Sequence, residues 1–485
     1  MQPPSTSAVL LLALAALAAT TTNATRVVPV RIHKQAAAGG TTATTTDGLP
    51  ARLVRRAPFD ENLANNLTVG AYFAEVEIGT PGQTLALHVD TGSTEVWLLS
   101  PRTDLCRNGA MQVLYGSCKD QFDDRMSSSF KLVSGQEFEI RYMDGSSAAG
   151  EYFTDHINIG GLSIQNLQMG MALKATSSWG MLGIGYTKNT TTRKPFPSIV
   201  DQMFNQGLIG IKAYSLYLND VEASTGTILF GGIDTEKFYG VLKSTPTLPD
   251  DDVGRITHFN VSLTSLTTVS VDTGTEEFLT HPVPVILDSG TTLTYLPRTV
   301  TGPLFDKLNA YDRSSATYPV VYVDCAIRDM DPSLVLSYRF AGAAGAEGPV
   351  INVSIADIIF DDVMPYVRAG FLTLPSKLPF PRDRVCSLGV LTSGLAEPHI
   401  LGDSFLRSAY VVYDLTNHHI SLAQSNMNST KENIIEIPKG AKTVPLATGQ
   451  PMPVSTFKPK NGAVVNRGEG RLLWTVMMLV GMLCW

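Results

Sequence analysis

The sequence has no long hydrophobic run, no net positive charge and few cysteines. Over 485 residues the formal net charge is −7, only 17% of the residues are charged, and five are cysteines. An acidic chain is repelled by the phosphates of nucleic acids, so a nucleic-acid partner is not expected. The cysteines form no Cys-x-x-Cys pair and no Cys/His cluster of the kind that binds zinc. The sequence therefore predicts no metal ion and no other cofactor.

Several catalytic motifs are also missing. The chain contains no Gly-x-Ser-x-Gly elbow, no His-Glu-x-x-His zinc motif and no P-loop. The glycines of "GMLGIG" (180–185) lack the spacing of a dinucleotide site, and the acidic run "PDDD" (249–252) is more typical of a solvated loop than of a metal site. Serine-elbow hydrolases, zinc peptidases and P-loop nucleotidases are therefore not indicated.

The composition that remains is that of a β-rich globular protein. Apolar residues make up 44% of the chain, with 41 glycines and 28 prolines, and the length is sufficient for two domains. Short alternating segments such as "AYFAEVEIG" (71–79) and "AYVVYDL" (409–415) predict strands between turns. Helices are predicted to be few and short, with the best candidates at 198–207 and 299–311.

Both ends of the chain have the pattern of targeting segments. The apolar run 8–19 predicts a signal peptide over 1–19; a short membrane anchor is the alternative, although 12 residues are too few to cross about 30 Å of hydrocarbon. At the other end, a small-residue site, a polar spacer and an apolar tail predict a GPI-attachment signal over 462–485, with attachment at Asn461. A tail anchor or a buried terminal helix is the alternative. We expect passage through the secretory pathway to the plasma membrane or cell wall, with some of the protein secreted.

Two further segments flank the body of the protein. Residues 20–56 are rich in Ala and Thr, carry six Lys/Arg against one Asp, and end at Arg55-Arg56. They predict a pro-segment, and we hypothesise that it docks electrostatically on the acidic body and inhibits the site until it is cleaved. Residues 431–461 predict a flexible stalk, because from residue 438 they contain Pro, Thr and Lys without apolar periodicity.

Cysteine and asparagine positions agree with secretion. Cys484 lies in the predicted tail signal, which leaves four cysteines, and four allow three pairings; the closeness of two of them favours a pair within the first half of the chain. The four are Cys106, Cys118, Cys325 and Cys386. Glycosylation sequons begin at Asn66, Asn189, Asn260, Asn352 and Asn428.

One pattern occurs twice in the chain. "LHVDTGSTEVWLL" (87–99) and "VILDSGTTLTYLP" (285–297) each run from apolar residues through Asp, Thr or Ser, Gly, and Ser or Thr back to apolar residues. "WGMLGIG" (179–185) follows the first and "PHILGDS" (398–404) the second, each with two apolar residues before a Gly. The repeat predicts two β-rich lobes related by a pseudo-twofold axis.

The acids of the repeat, Asp90 and Asp288, need a chemical explanation because an unpaired buried carboxylate is costly. If the lobes bring them together, two carboxyls at short range share one proton. One can then activate water as a base, while the other protonates the carbonyl oxygen of a peptide bond. The residues predicted to hydrogen-bond or closely approach the pair are Thr91, Gly92, Ser93, Ser289, Gly290 and Thr291.

These motifs resemble the pepsin-like aspartic proteases, and among them the fungal, yapsin-type, GPI-anchored members. The resemblance covers residues 66–425. It implies an all-β, bilobal fold with a few short helices, whose lobes span 57–250 and 251–430 and enclose a cleft for an extended peptide. It also implies a monomeric aspartic endopeptidase that works at acid pH without a cofactor.

The resemblance extends to a flap hairpin. "IRYMDGSSAAGEYFTD" (140–155) matches the flap, with Tyr142 as its tyrosine, although Met143 stands where the family commonly has Gly and puts the flap conformation in question. Asp144 matches a flap acid that accepts basic substrate residues in some fungal relatives, and a solvated hairpin acid is the alternative. Trp97 matches the tryptophan that bonds the flap tyrosine, with a core aromatic as the alternative.

The resemblance also assigns structural roles. Gly183 and Gly402 match positions where the chain crosses itself near the site, and the disulfides implied are Cys106–Cys118 and Cys325–Cys386. Two other functions are the alternatives. An inactive, protease-like binding protein would be favoured by loss of an acid or of the flap tyrosine, and neither is lost. A structural role in the wall would leave the duplicated acids unexplained.

Overall fold

Strands dominate the computed structural model, as the alternating segments predict. The structure describes residues 26–35, 71–187, 195–220, 223, 225–250, 254–313, 320–368, 372–394, 397–445 and 447–452. The signal peptide, residues 36–70 and the tail signal, and with them Asn66, Asn189 and Asn461, lie outside this part. Within the described residues no helix is long and apolar enough to cross a membrane.

The first half of the chain contributes twelve of the described strands. They are β1 (Val28–Gln35), β2 (Ala71–Ile78), β3 (Gln83–Asp90), β4 (Val96–Leu99), β5 (Lys131–Arg141), β6 (Ser147–Ile159), β7 (Leu162–Ala175), β8 (Met181–Gly183), β9 (Ala213–Tyr217), β10 (Thr225–Phe230), β11 (Gly232–Asp234) and β12 (Phe238–Pro246).

The second half continues the same pattern of short strands. They are β13 (Asn260–Ser270), β14 (Gly274–Glu277), β15 (Val283–Leu287), β16 (Thr294–Leu296), β17 (Tyr311–Asp312), β18 (Val321–Asp324), β19 (Val335–Phe340), β20 (Val350–Ser354), β21 (Ile359–Phe360), β22 (Val385–Leu388), β23 (Val390–Thr392), β24 (Ile400–Leu401), β25 (Ala409–Asp414), β26 (His419–Ser425) and β27 (Ile434–Glu436).

The helices of the described residues are short. Both predicted helices are confirmed, and the one that begins after Ser198 has a capping box in which the Ser198 hydroxyl accepts from the Asp201 amide. The helices are α1 (Asp104–Arg107), α2 (Gly109–Tyr115), α3 (Ile199–Asn205), α4 (Arg298–Lys307), α5 (Ile327–Met330), α6 (Val363–Arg368) and α7 (Asp403–Leu406).

Two large sheets carry the two halves of the repeat. A 13-stranded sheet runs in the order β12-β26-β25-β9-β10-β1-β2-β3-β8-β4-β7-β6-β5, and an eight-stranded sheet follows β20-β19-β13-β15-β24-β16-β23, with β14 paired to β13. Strands β25 and β26 come from the second half of the chain but pair in the first sheet. The backbone hydrogen bonds of that sheet therefore join the two halves.

The repeated motif has the same topology in both halves. Strand β3 pairs in parallel with β8, which places Asp90 opposite Gly183. Strand β15 likewise pairs in parallel with β24, Leu287 opposite Leu401. In each half the next strand, β4 or β16, pairs antiparallel with that same partner. The sequence repeat is thus a structural repeat, and the acid ends up beside the end of the parallel pair in both cases.

Strand β1 lies within the predicted pro-segment, but it does not dock by charge as the sequence led us to expect. It is hydrogen-bonded between β10 and β2, and Val28, Val30 and Ile32 are each at most 2% exposed in the core. The described part of the segment is therefore held by sheet pairing and apolar burial rather than by charge. In β1 the apolar residues Val28, Val30 and Ile32 alternate with Pro29 and Arg31, which is the pattern of a strand despite the basic composition of the segment.

The predicted stalk also differs from the structure at its start. Strand β27 pairs with β11, Ile437 is fully buried, and Val444 is 8% exposed. Ile437, Val444 and Ala447 all join one hydrophobic cluster with residues of the body, but their irregular spacing gives the segment no helical or strand period. A flexible stalk remains an expectation only for residues 453–461, which lie outside the described part.

The cysteines form the two disulfides that the resemblance implied, Cys106–Cys118 and Cys325–Cys386. Two sequon asparagines are tied by their side chains: the Asn260 amide donates to Asp250 at 2.9 Å, and the Asn428 amide donates to Asp220 at 3.1 Å. The third described sequon, at Asn352, is exposed on β20.

The position of β1 predicts unequal effects of adding charge to neighbouring residues. In an Arg55→Ala/Arg56→Ala precursor, Val30→Asp should lower the free energy of unfolding by about 3–5 kcal/mol, because it places a carboxylate in the core. Arg31→Asp on the exposed face should change it by less than about 1 kcal/mol. Denaturant unfolding measures both, and equal effects would contradict the placement of β1 in the sheet.

Candidate active site

The two acids of the repeat meet at the ends of β3 and β15. Asp90 is 4% exposed. The Gly92 amide donates to the Asp90 carboxyl at 2.8 Å and to the Asp288 carboxyl at 3.0 Å, and the two carboxyls are hydrogen-bonded to each other. A single N–H group therefore serves both acids, which confines them to one small site between the two motifs.

The hydrogen bonds around the pair repeat from one motif to the other. The Gly290 amide donates to Asp288 at 2.8 Å, as the Gly92 amide does to Asp90. On the outer side, the Ser93 hydroxyl donates to Asp90, and the Thr291 hydroxyl donates to Asp288 at 2.7 Å. Each acid thus has an amide on one oxygen and a hydroxyl on the other.

Thr91 and Ser289 have a different role from the other predicted residues. The Thr91 hydroxyl donates to the Leu287 carbonyl at 3.0 Å and accepts from the Ser289 amide at 2.9 Å. The Ser289 hydroxyl donates to the Val89 carbonyl at 3.1 Å. Both side chains therefore cross between the motifs and bind backbone, and they position the acids through their strands.

The glycines of the motifs are required by close approach. A Cβ atom on Gly92 would lie 2.7 Å from the Asp288 carboxyl carbon, and one on Gly290 would overlap the Asp90 carboxyl. At the chain crossings, a Cβ on Gly183 would lie 2.6 Å from the Glu95 amide, and one on Gly402 would meet the Thr291 carbonyl. Larger residues at Gly92 or Gly290 would push the two motifs apart, and larger residues at Gly183 or Gly402 would displace the crossing strand from the motif of its own half.

Burial sets the protonation of the pair. Desolvation first, and then the neighbouring charge of Asp288, raise the pKa of Asp90 to about 8, although the hydrogen bonds from Ser93 and Gly92 oppose the rise. The pair therefore retains at least one proton at acid and neutral pH. This is the protonation state that acid–base chemistry by two carboxyls requires.

The flap residue Tyr142 is connected to the pair through one hydroxyl. It lies at the turn between β5 and β6, where its amide donates to the Ser146 carbonyl at 2.8 Å. Its phenol oxygen accepts from the Trp97 indole at 2.7 Å and is hydrogen-bonded to Ser93. A chain of hydrogen bonds thus runs from Asp90 through Ser93 and Tyr142 to Trp97.

The two residues after the flap tyrosine have different surroundings. The Met143 side chain is 57% exposed, so the flap turn accommodates it on its outer side. One oxygen of Asp144 accepts from the Ser146 amide at 2.8 Å. Its second oxygen has no hydrogen bond within the described part of the chain, and it remains available to a ligand.

Sequence reasoning missed two residues beside the pair. Glu95, on the stretch between Asp90 and β4, is 1% exposed and accepts from the Tyr152 hydroxyl at 2.8 Å. His88 lies on the same face of β3 as Asp90. The period-2 alternation of that strand could have identified His88, whereas Glu95 lies in an irregular turn that offers no such signal.

One group of potential metal ligands occurs in the described part of the chain, and its chemistry does not indicate a metal site. Among the described residues, Cys325, Cys386 and Asp361 bring three potential ligand atoms within 4.8 Å of one another. The two sulfurs are bonded to each other and offer no thiolate.

Comparison with known proteins identifies the family. The model of the family described as eukaryotic aspartyl protease matches residues 71–425. The chain is 37% identical to the Aspergillus oryzae protein named "Probable aspartic-type endopeptidase opsB", over 85% of this chain and 80% of that protein. It is 32% identical to "Aspartic proteinase yapsin-3" of Saccharomyces cerevisiae, over 84% and 76%.

A solved structure has the same fold. The aspartic proteinase of Irpex lacteus matches with a TM-score of 0.56 at 21% identity, covering 76% of this chain and 98% of that one. The fold is therefore mostly β and pepsin-like, as the resemblance implied. The chain belongs to the eukaryotic aspartyl protease family and is an aspartic-type endopeptidase.

Proposed function

We propose that the chain cleaves peptide bonds with Asp90 and Asp288 as one acid–base unit. The observation that carries the proposal is the Gly92 amide, which donates to both carboxyls and holds them in a single site. The ionised carboxyl takes a proton from water, and the resulting hydroxide adds to the peptide carbonyl carbon while the other carboxyl protonates the carbonyl oxygen. The C–N bond of the resulting diol then breaks as the nitrogen takes a proton from one carboxyl, while the other carboxylate removes the proton of a diol hydroxyl, which becomes the carbonyl of the product acid, so the pair again holds a single proton.

The surroundings support this division of labour. The amides of Gly92 and Gly290 hold one oxygen of each acid, and the hydroxyls of Ser93 and Thr291 hold the other, so neither carboxyl must reorient during the reaction. Closure of the flap at Tyr142 over an extended peptide would exclude bulk water. An inactive binding protein is the alternative function, and with Asp90, Asp288 and Tyr142 all in contact no feature of the site favours it.

We further propose that the flap favours basic substrate residues. Asp144 uses one oxygen to hold the turn and leaves the other for a cation. The neighbouring Met143 side chain is exposed. The net charge of −7 adds a favourable long-range field for a basic peptide.

The route to the surface is also a proposal. The apolar segment over 1–19, the dibasic Arg55-Arg56 and the tail over 462–485 support secretion, processing and GPI attachment at Asn461. The two disulfides fit an oxidising compartment. We propose a monomer, glycosylated at its sequons and anchored at the cell surface. Inhibition by the pro-segment would fall to residues 36–56, because residues 26–35 lie in the sheet.

The acid pair predicts the loss of activity on removing one carboxyl. Asp288→Asn should lower kcat/KM for a peptide by at least about 1000-fold, since the amide can neither share the proton nor act as a base. The wild-type rate should also fall as pH rises through about 8, where Asp90 loses its proton. Peptide cleavage from pH 2 to 9 measures both, with Asp272→Asn on an exposed turn as the control. Activity that survives Asp288→Asn would refute the mechanism.

The flap acid predicts a change in selectivity. Asp144→Asn keeps an oxygen for the Ser146 amide but removes the charge, so kcat/KM should fall about 5- to 20-fold for peptides with Lys or Arg and stay unchanged for their neutral counterparts. A matched control is Glu139→Gln, because Glu139 is an exposed flap acid already paired with Arg141 at 3.1 Å. An equal loss for both peptides, or for both variants, would argue against a specific role of Asp144.

A further inference from the structure

Strand β3 carries a second titratable side chain beside the acid pair. Leu87 and Val89 are fully buried in the core, so the alternate residues His88 and Asp90 share the opposite face. Residues two apart on a strand are separated by about 7 Å along it. The imidazole of His88 is therefore the next side chain to Asp90 on this face.

Aromatic rings hold the imidazole in place. His88 lies opposite Phe73 on β2, with ring centroids 5.4 Å apart, and Phe73 packs on Trp179 at 4.7 Å. Neither ring nitrogen of His88 has a hydrogen bond within the described residues. The residue is half-buried, with its ring packed against apolar rings. Desolvation in this position lowers the pKa of His88 to about 4, although the charge of Asp288 opposes the fall.

The charges that face His88 come from a few elements. Asp90 follows on its own strand, and the charge of Asp288 from the second motif raises the pKa of His88 against the effect of burial. On the other side, the Lys119 ammonium lies 5.9 Å from the Trp179 ring, and His33 on β1 lies 6.4 Å from the Phe73 ring. Two exposed carboxylates also lie near this stretch of β3: Glu75 stands opposite Ala86 on β2, and Asp120 accepts from the Ala86 amide at 3.4 Å. Among these acids, Asp288 is the one whose charge acts on the pKa of His88.

We propose that His88 is a positioning residue for the reaction: at acid pH its imidazolium lies in the field of Asp288 and preserves the single negative charge of the pair. The proposal rests on the proposed function of Asp90 and Asp288. Coupling between two titrating groups is reciprocal, so a carboxylate that favours the imidazolium is itself favoured by it. His88 therefore extends the active range of the enzyme to lower pH.

The direction of the effect follows from the charges. Below pH about 4 the imidazole is protonated, and its positive charge opposes protonation of the last carboxylate of the pair. Near pH 8, where the pair loses its remaining proton, the imidazole is neutral and exerts no such effect. Removing His88 should move the acid limb of the pH profile and leave the alkaline limb in place.

The test compares kcat/KM against pH for the wild type, His88→Gln and His88→Phe. The phenylalanine keeps the ring packing and the glutamine keeps a polar side chain, and neither titrates. In both variants the midpoint of the acid limb should move to a higher pH by about 0.5–1 unit, the size expected for a charge about 7 Å away in a partly solvated site. His399→Gln is the matched control, because burial alone lowers the pKa of His399 and the acid pair does not contribute.

The two limbs of the pH profile distinguish an electrostatic role of His88 from a packing role. A shift of the acid limb alone in an active variant supports the proposal, whereas a uniform loss of activity with both limbs in place assigns His88 to packing and overturns it. If one variant does not fold, the other decides. NMR titration of the His88 ring gives a second readout: in Asp288→Asn its pKa should fall, and an unchanged value would also overturn the proposal. Residual activity of Asp288→Asn itself would instead refute the acid pair.

Discussion

The site depends on keeping two carboxyls in contact inside the protein. Buried acids repel each other once both ionise, so their proximity requires a shared proton and donors that solvate the remaining charge. The structure supplies two amides to each acid: Asp90 accepts from Gly92 and Ser93, and Asp288 accepts from Gly290 and from the same Gly92 amide. Burial and the neighbouring charge of Asp288 raise the pKa of Asp90 against these donors, and the flap tyrosine is hydrogen-bonded to Ser93 beside the pair.

Holding the acids requires the two halves of the chain to be locked together. Thr91 and Ser289 do this locally, since each hydroxyl binds backbone of the opposite motif. The 13-stranded sheet does it globally, because β25 and β26 of the second half pair with β9 and β12 of the first. A shift of either half would therefore break sheet hydrogen bonds as well as the site.

Local patterns in the sequence were sufficient for much of the fold and site. The repeated Asp-Thr/Ser-Gly motifs, the alternating strands and the two helices are encoded over a few residues each, where period and residue type decide the outcome. The same rules misled at both ends of the body. The basic residues of β1 suggested docking by charge, although its Val and Ile are buried in the core. The segment after β26 packs on the body through apolar residues that are irregularly spaced in the sequence.

The sequence by itself determined which residues form the acid pair, because residue type and spacing within one strand and turn decide it. For the same reason it determined why a glycine stands two positions after each acid and which hydroxyls can bind the outer carboxyl oxygens. Only the tertiary structure decided what faces the pair from elsewhere. His88 acquires its role from Phe73 and Trp179, and Asp144 acquires a free oxygen from the flap turn. The surroundings of His88 come from segments distant in the chain, and the hydrogen bond of Asp144 depends on the conformation of the flap turn, so residue type and spacing alone specify neither.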